Sequence, residues 1–96
     1  MKSIAIASSN EKLAFCKDKL GADFTINYKE TPDYQDKVME FTNGKGANII
    51  ADPVGAQNVK INGLCAAVDC RWVLYGFLGG SKVPEFDMSV LLRKRI

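Results

Sequence analysis

A chain of 96 residues fits one domain with a single modest core, because a chain this short buries a limited share of its surface on folding. Hydrophobic residues make up 47%, and 13 Lys and Arg against 11 Asp and Glu leave a net charge of +2, too weak and dispersed to mark a nucleic-acid or membrane surface. Cys16, Cys65 and Cys70 are odd in number, lack CxxC spacing and have no histidine to join them, which argues against a zinc site or a disulfide framework and for a reducing cytoplasm.

Lys2–Ala7 has the length of a strand and is too short for a signal-peptide core; no apolar run approaches the roughly 18 residues of a membrane span. Ser8-Ser9-Asn10-Glu11 follows as a helix start, where Ser8 or Ser9 can cap and Ser8-x-x-Glu11 matches a capping box. Leu13, Cys16 and Leu20 fall on one face of that helix, and Gly21 stops it. Asp23–Tyr28 is a second strand of β-branched and aromatic residues. Thr31 then reads as an N-cap with Pro32 at the first helical position, and Tyr34, Val38 and Phe41 give the apolar face of a helix ending at Asn43-Gly44.

Ala47–Asp52, a short apolar run between Gly46 and a Pro/Gly turn, reads as a third strand buried on both faces. The loop Asp52-Pro53-Val54-Gly55 at its carboxyl end lies where open α/β sheets place their ligands. Gln57–Ala67 is a weaker helix with Ile61, Leu64 and Cys65 on one face. Arg71–Tyr75 is a fourth strand running into Gly76-Phe77-Leu78-Gly79-Gly80, and Asp87–Ile96 forms a last helix. The fold class that follows is α/β: a Rossmann-like parallel sheet of about four strands with flanking helices.

A dinucleotide-binding sheet usually carries an acidic residue at the end of its second strand to bind the adenosine ribose. Here that end is Ala7-Ser8-Ser9-Asn10, followed by Lys12, and uncharged donors plus an ammonium suit a phosphate better than a bare ribose. A helix cap followed by a solvated lysine accounts equally well for these residues. Tyr28 either faces the same phosphate or packs at its strand end. Asp52 is a general acid or base, or, ahead of a proline, a turn former. Gly55, Gly76, Gly79 and Gly80 allow close backbone approach to a ligand or serve their turns. Cys16 and Cys65 read as buried thiols and Arg93-Lys94-Arg95 as a solvated charge run, and without histidine or paired carboxylates no catalytic constellation assembles.

Ser9-x-x-Lys12-Leu13, Leu20-Gly21-Ala22-Asp23, Ile26-Asn27-Tyr28-Lys29, Asp52-Pro53-Val54-Gly55, Arg71-Trp72-Val73-Leu74-Tyr75-Gly76 and Leu91-Leu92-Arg93-Lys94-Arg95 together resemble the zinc-independent quinone oxidoreductases of the medium-chain dehydrogenase/reductase superfamily. The resemblance implies homodimers that take a hydride from NADPH and reduce quinones or other α,β-unsaturated carbonyls without metal. It further implies that Ser9, Lys12 and Tyr28 surround the adenosine 2′-phosphate, that Val54 and Gly55 lie near the nicotinamide ribose, and that Gly76 and Phe77 lie near the nicotinamide.

The resemblance begins at the family's second Rossmann strand, so residues 1–96 correspond to a partial NADPH-binding domain without the glycine-rich pyrophosphate loop and without the catalytic GroES-like domain. The family's first strand lies between the strands that Lys2–Ala7 and Ala47–Asp52 resemble. We therefore expect those two strands to pair directly, or a second chain to fill the place between them. An alternative function is a non-enzymatic truncated product that binds a full-length relative through an exposed sheet edge.

Overall fold

The structure is a computed structural model that describes residues 2–96. Strands and helices alternate as β1 (Ile4–Ala7), α1 (Asn10–Asp18), β2 (Phe24–Asn27), α2 (Gln35–Phe41), β3 (Ala47–Asp52), a 3₁₀ turn (Ala56–Asn58), α3 (Val59–Cys65), β4 (Ala66–Leu74) and α4 (Ser89–Arg93). Local chemistry explains the starts and stops. Ser9 is extended and its Oγ accepts from the Lys12 N–H at 3.4 Å, so Ser9 is the cap of α1 and the box of Ser8 with Glu11 does not form. The helix α1 buries Leu13, while Leu20 lies beyond its end and is exposed.

Two boundaries moved for identifiable reasons. Thr31 does not cap α2: Asn27 Oδ1 accepts from the N–H groups of Lys29 and Glu30, and Thr31 N–H donates to the Asn27 carbonyl, so residues 27–31 close a turn led by Asn27. The helix begins later, beside the buried Tyr34, which takes the cap position without a side-chain bond. Helix α3 passes into β4 without a loop, and β4 starts five residues before the expected Arg71, with a register shift between Ala47 and Ile49 and a positive φ of 65° at Asp69.

Both strand pairs are parallel, β1 with β2 in the register Ile6↔Ile26 and β3 with β4 in the register Ile50↔Trp72. They make two two-stranded sheets, so the expected direct pairing of Lys2–Ala7 with Ala47–Asp52 is not formed. The reason is packing. Ile26, Tyr34, Val38 and Cys65 form one buried cluster, and Ile4 from β1 and Ala47 from β3 both lean on it. The α/β class holds, with four parallel strands divided between two sheets.

Open inner edges leave the chain incompletely buried. Its accessible surface is 6657 Å², against about 5,500 Å² for a folded monomer of its mass. Strand β3, expected to be covered on both faces, has Asn48, Ile49 and Ala51 exposed, Ile49 at 52%.

The terminal segment is more tightly held than a solvated charge run. Lys94 Nζ donates to the carbonyls of Gly63 (2.8 Å) and Ala66 (2.9 Å) at the end of α3. Arg95 makes a bidentate pair with Asp69, and the guanidinium holds that carboxyl below its usual range.

Gly46 sets the entry to β3. Its φ is +89°, and a Cβ there would lie 2.7 Å from the Cys65 carbonyl oxygen and 2.8 Å from the Ala67 nitrogen. Gly46→Ala is therefore expected to destabilise the chain by about 2 kcal/mol or more, read as a drop in the urea midpoint; an unchanged midpoint would mean that the α3–β4 junction yields.

Candidate functional site

The site assembles where β3 and β4 end. Asp52, the last residue of β3, is 2% exposed, and four N–H groups converge on its carboxylate. Oδ1 accepts from the backbone of Val54 (2.9 Å) and Gly55 (3.0 Å), and Oδ2 accepts from Asn62 Nδ2 (3.1 Å) and Trp72 Nε1 (3.2 Å). The Tyr34 hydroxyl donates to Asn62 Oδ1 at 3.1 Å, which extends the network to the start of α2. Such a set of donors offsets the desolvation of a buried carboxylate.

Around this anchor two loops are laced together. Tyr75 N–H donates to the Asp52 carbonyl, Leu78 N–H to that of Pro53, Gly79 N–H to that of Val54, and Ala56 N–H to that of Gly80. The glycines are needed for this contact. A Cβ on Gly76 would lie 2.5 Å from the Pro53 oxygen, one on Gly55 (φ +82°) 2.7 Å from the Gly80 oxygen, and one on Gly79 2.6 Å from the Gln57 side chain. Hence Val54, Gly55, Gly76 and Phe77 do come together, with the Phe77 ring beside Gly55 and 59% exposed. The glycines serve loop-on-loop packing, and the Val54 and Gly55 amides are already spent on Asp52.

The other three expected residues lie at the carboxyl ends of β1 and β2. Ser9 is half-buried as the cap of α1 and Lys12 is exposed in its first turn. Tyr28 N–H donates to the Ala7 carbonyl, which brings its backbone beside the same strand end, but its ring packs against the core cluster and lines an open groove of about 270 Å³ with Tyr34, Asn58 and Lys60. Neither Ser9 nor Lys12 lines that groove. The strand end also carries an acid that the sequence reading passed over: Asn27 Nδ2 donates to Asn10 Oδ1 and Asn10 Nδ2 to Glu30 Oε1, each at 3.0 Å.

Asn62 and Trp72 were also missed. The available signal was an amide next to Ile61 and three residues before Cys65 on α3, and an indole two residues before Leu74, the register partner of Asp52. No group of three or more His, Cys, Asp or Glu side chains that could hold a metal ion converges among the described residues. No helix among them is long and apolar enough to cross a membrane.

Burial pushes the Cys65 thiol from 9.0 to about 11, with Lys94 opposing, and burial beside Cys65 and Asp52 also raises the Tyr34 phenol. Both groups hold their protons more tightly when folded. The Cys65 contribution to stability is complete below about pH 9 and is lost as the pH climbs through about 11, while that of Tyr34 persists to higher pH. Urea midpoints should accordingly fall across that window, and iodoacetamide at pH 8 should reach the half-exposed Cys16 before the buried Cys65 and Cys70. Equal labelling of the three would mean that the α3–β4 layer opens readily.

All 96 residues match the family model described as zinc-binding dehydrogenase. A zinc-type alcohol dehydrogenase-like protein of Schizosaccharomyces pombe is 39% identical over 85 residues, which is 88% of this chain and 24% of that protein. The solved quinone oxidoreductase of Pseudomonas syringae pv. tomato superposes with a TM-score of 0.82 at 32% identity, over 97% of this chain and 28% of that one. A mycobacterial protein solved in complex with NADPH gives 0.80 at 30% identity, again over 97% of this chain and 28% of its own. The chain thus spans about a quarter of the length of the relatives it matches. On the family match and the shared Rossmann-like fold, the chain belongs to the zinc-binding dehydrogenase family of the medium-chain dehydrogenase/reductase superfamily, on its quinone oxidoreductase-like side.

Proposed function

We propose that these residues are the partial nucleotide-binding domain of an NADPH-dependent oxidoreductase that reduces quinones or other α,β-unsaturated carbonyls without a metal ion. The observation that carries the reading is the pair of laced loops, which brings Val54, Gly55, Gly76 and Phe77 into one preformed surface at the strand ends. A quinone oxidoreductase and an NADPH complex among the similar structures support it. When bound, the reduced nicotinamide supplies the hydride. The chain's own residues bind and orient: Lys12 and Ser9 meet the 2′-phosphate with a cation and a hydroxyl, Tyr28 flanks the adenosine end, Val54 and Gly55 border the ribose, and Gly76 and Phe77 border the ring. Three free thiols fit a cytoplasmic setting.

Calorimetric titration of the chain with NADPH and NADH tests this. Micromolar NADPH binding is expected, and Lys12→Glu should weaken NADPH by about tenfold or more while changing NADH little, because only NADPH carries the 2′-phosphate. Absence of binding by a folded wild-type chain would overturn the reading.

A second reading is favoured by the unpaired inner edges of β1 and β3: a non-enzymatic module that takes an extended strand from a full-length relative or from a second subunit. Amide exchange distinguishes it. Mixing with a full-length quinone oxidoreductase should slow exchange at residues 4–7 and 47–52, and unchanged exchange there would exclude the module.

A further inference from the structure

Asp52 is the most completely surrounded polar side chain of the described residues, yet hydride transfer makes no direct use of it. An Asx turn before a glycine requires one acceptor oxygen facing the following N–H groups, which an asparagine or serine also supplies. Asp52 does more, since its second oxygen ties the same loop to α3 through Asn62 and to β4 through Trp72. Three elements and the loop therefore share one carboxylate. The loop it holds is the one whose Pro53 and Val54 carbonyls receive Leu78 and Gly79, so the position of Gly76 and Phe77 depends on it as well.

Nothing comparable joins Asp52 to the other end of the strand layer. Ser9, Lys12, Asn10 and Glu30 are organised by their own bonds around the start of α1, and none of these bonds reaches residues 52–80. The Ser9 and Lys12 surface is thus organised without Asp52, while Tyr28 packs on the cluster containing Tyr34, whose hydroxyl bonds Asn62.

The geometry points to Asp52 as a positioning residue for the ribose-nicotinamide half of the cofactor, acting through the Pro53–Ala56 and Gly76–Gly80 loops, with no bond to the Ser9 and Lys12 surface that would meet the 2′-phosphate. This role rests on the nucleotide-binding reading above. Replacing the acid by its amide places an N–H where one pair of donors now points, so either the Val54 and Gly55 amides or the Asn62 and Trp72 donors lose their acceptor.

The test compares two ligands on the full chain: NADPH, which spans both surfaces, and 2′,5′-ADP, which offers only the adenosine half with its 2′-phosphate. Asp52→Asn is expected to weaken NADPH by about tenfold, the cost of one charge-assisted hydrogen bond, and to leave 2′,5′-ADP within about twofold. Faster amide exchange at Val54 and Gly55 should accompany the loss. A general loosening of the fold would move both ligands together, and that result, or no change in either, overturns the positioning role while leaving the nucleotide-binding reading in place. Wild-type chain that binds neither ligand overturns both. If Asp52→Asn does not fold, Trp72→Phe removes a single donor and keeps the ring. It should weaken NADPH about threefold with 2′,5′-ADP unaffected, and equal effects on the two ligands again decide against the role.

Discussion

A buried carboxylate without a cation organises this structure. Taking such a group from water costs several kcal/mol unless hydrogen-bond donors replace the lost solvent. Asp52 meets that demand with two backbone and two side-chain N–H groups, and each donor constrains a different piece of chain. Val54 and Gly55 fold the loop back over the end of β3; Asn62 fixes the rotation of α3; Trp72 fixes β4 against β3. Tyr34 closes the set by bonding Asn62 and anchors the start of α2. Removing any member would leave a partner unsatisfied in the driest part of the molecule, so the network acts as a unit.

The buried hydrophobic core is small. The buried apolar residues include four small ones, Ala66, Ala67, Cys65 and Cys70, beside Leu13, Ile26, Tyr34 and Val38. Much apolar surface remains exposed on β4 and the loop after it, where Val73, Leu74, Tyr75, Phe77 and Leu78 follow one another. Two-stranded sheets are weak in isolation, and α1 packs on both strands of the β1–β2 pair. The Phe24–Phe41 stack, with ring centroids 4.2 Å apart, ties β2 to α2 in this way.

At the other end of the chain, charge substitutes for apolar burial. Lys94 places its ammonium on the carbonyls that α3 leaves open where it becomes β4, and the Asp69 N–H returns a bond to the Lys94 carbonyl. The short α4 is thereby clamped across the α3–β4 junction, on the layer that contains Cys65 and Cys70. Burial in that layer raises both thiols, and the Lys94 ammonium opposes the shift.

The order and type of the elements were legible in the sequence because apolar spacing and turn chemistry are local: Ser9 before a helical pattern, Asn43-Gly44 after one, and an apolar run bounded by Gly46 and Pro53 report on themselves. The grouping of Val54 and Gly55 with Gly76 and Phe77 was implied by the resemblance to the quinone oxidoreductases and not by local spacing. Tertiary structure alone decided what lies between elements. Whether β1 meets β3 depends on how far apart the helices hold them, and that distance is set by the packing of Ile26, Tyr34, Val38 and Cys65, residues far apart in the chain. Likewise, an aspartate before a proline carries the same local signal whether it merely starts a turn or is enclosed by Asn62 and Trp72. Only the fold supplies donors from 10 and 20 residues away, and with them the difference between a turn former and the anchor of the site.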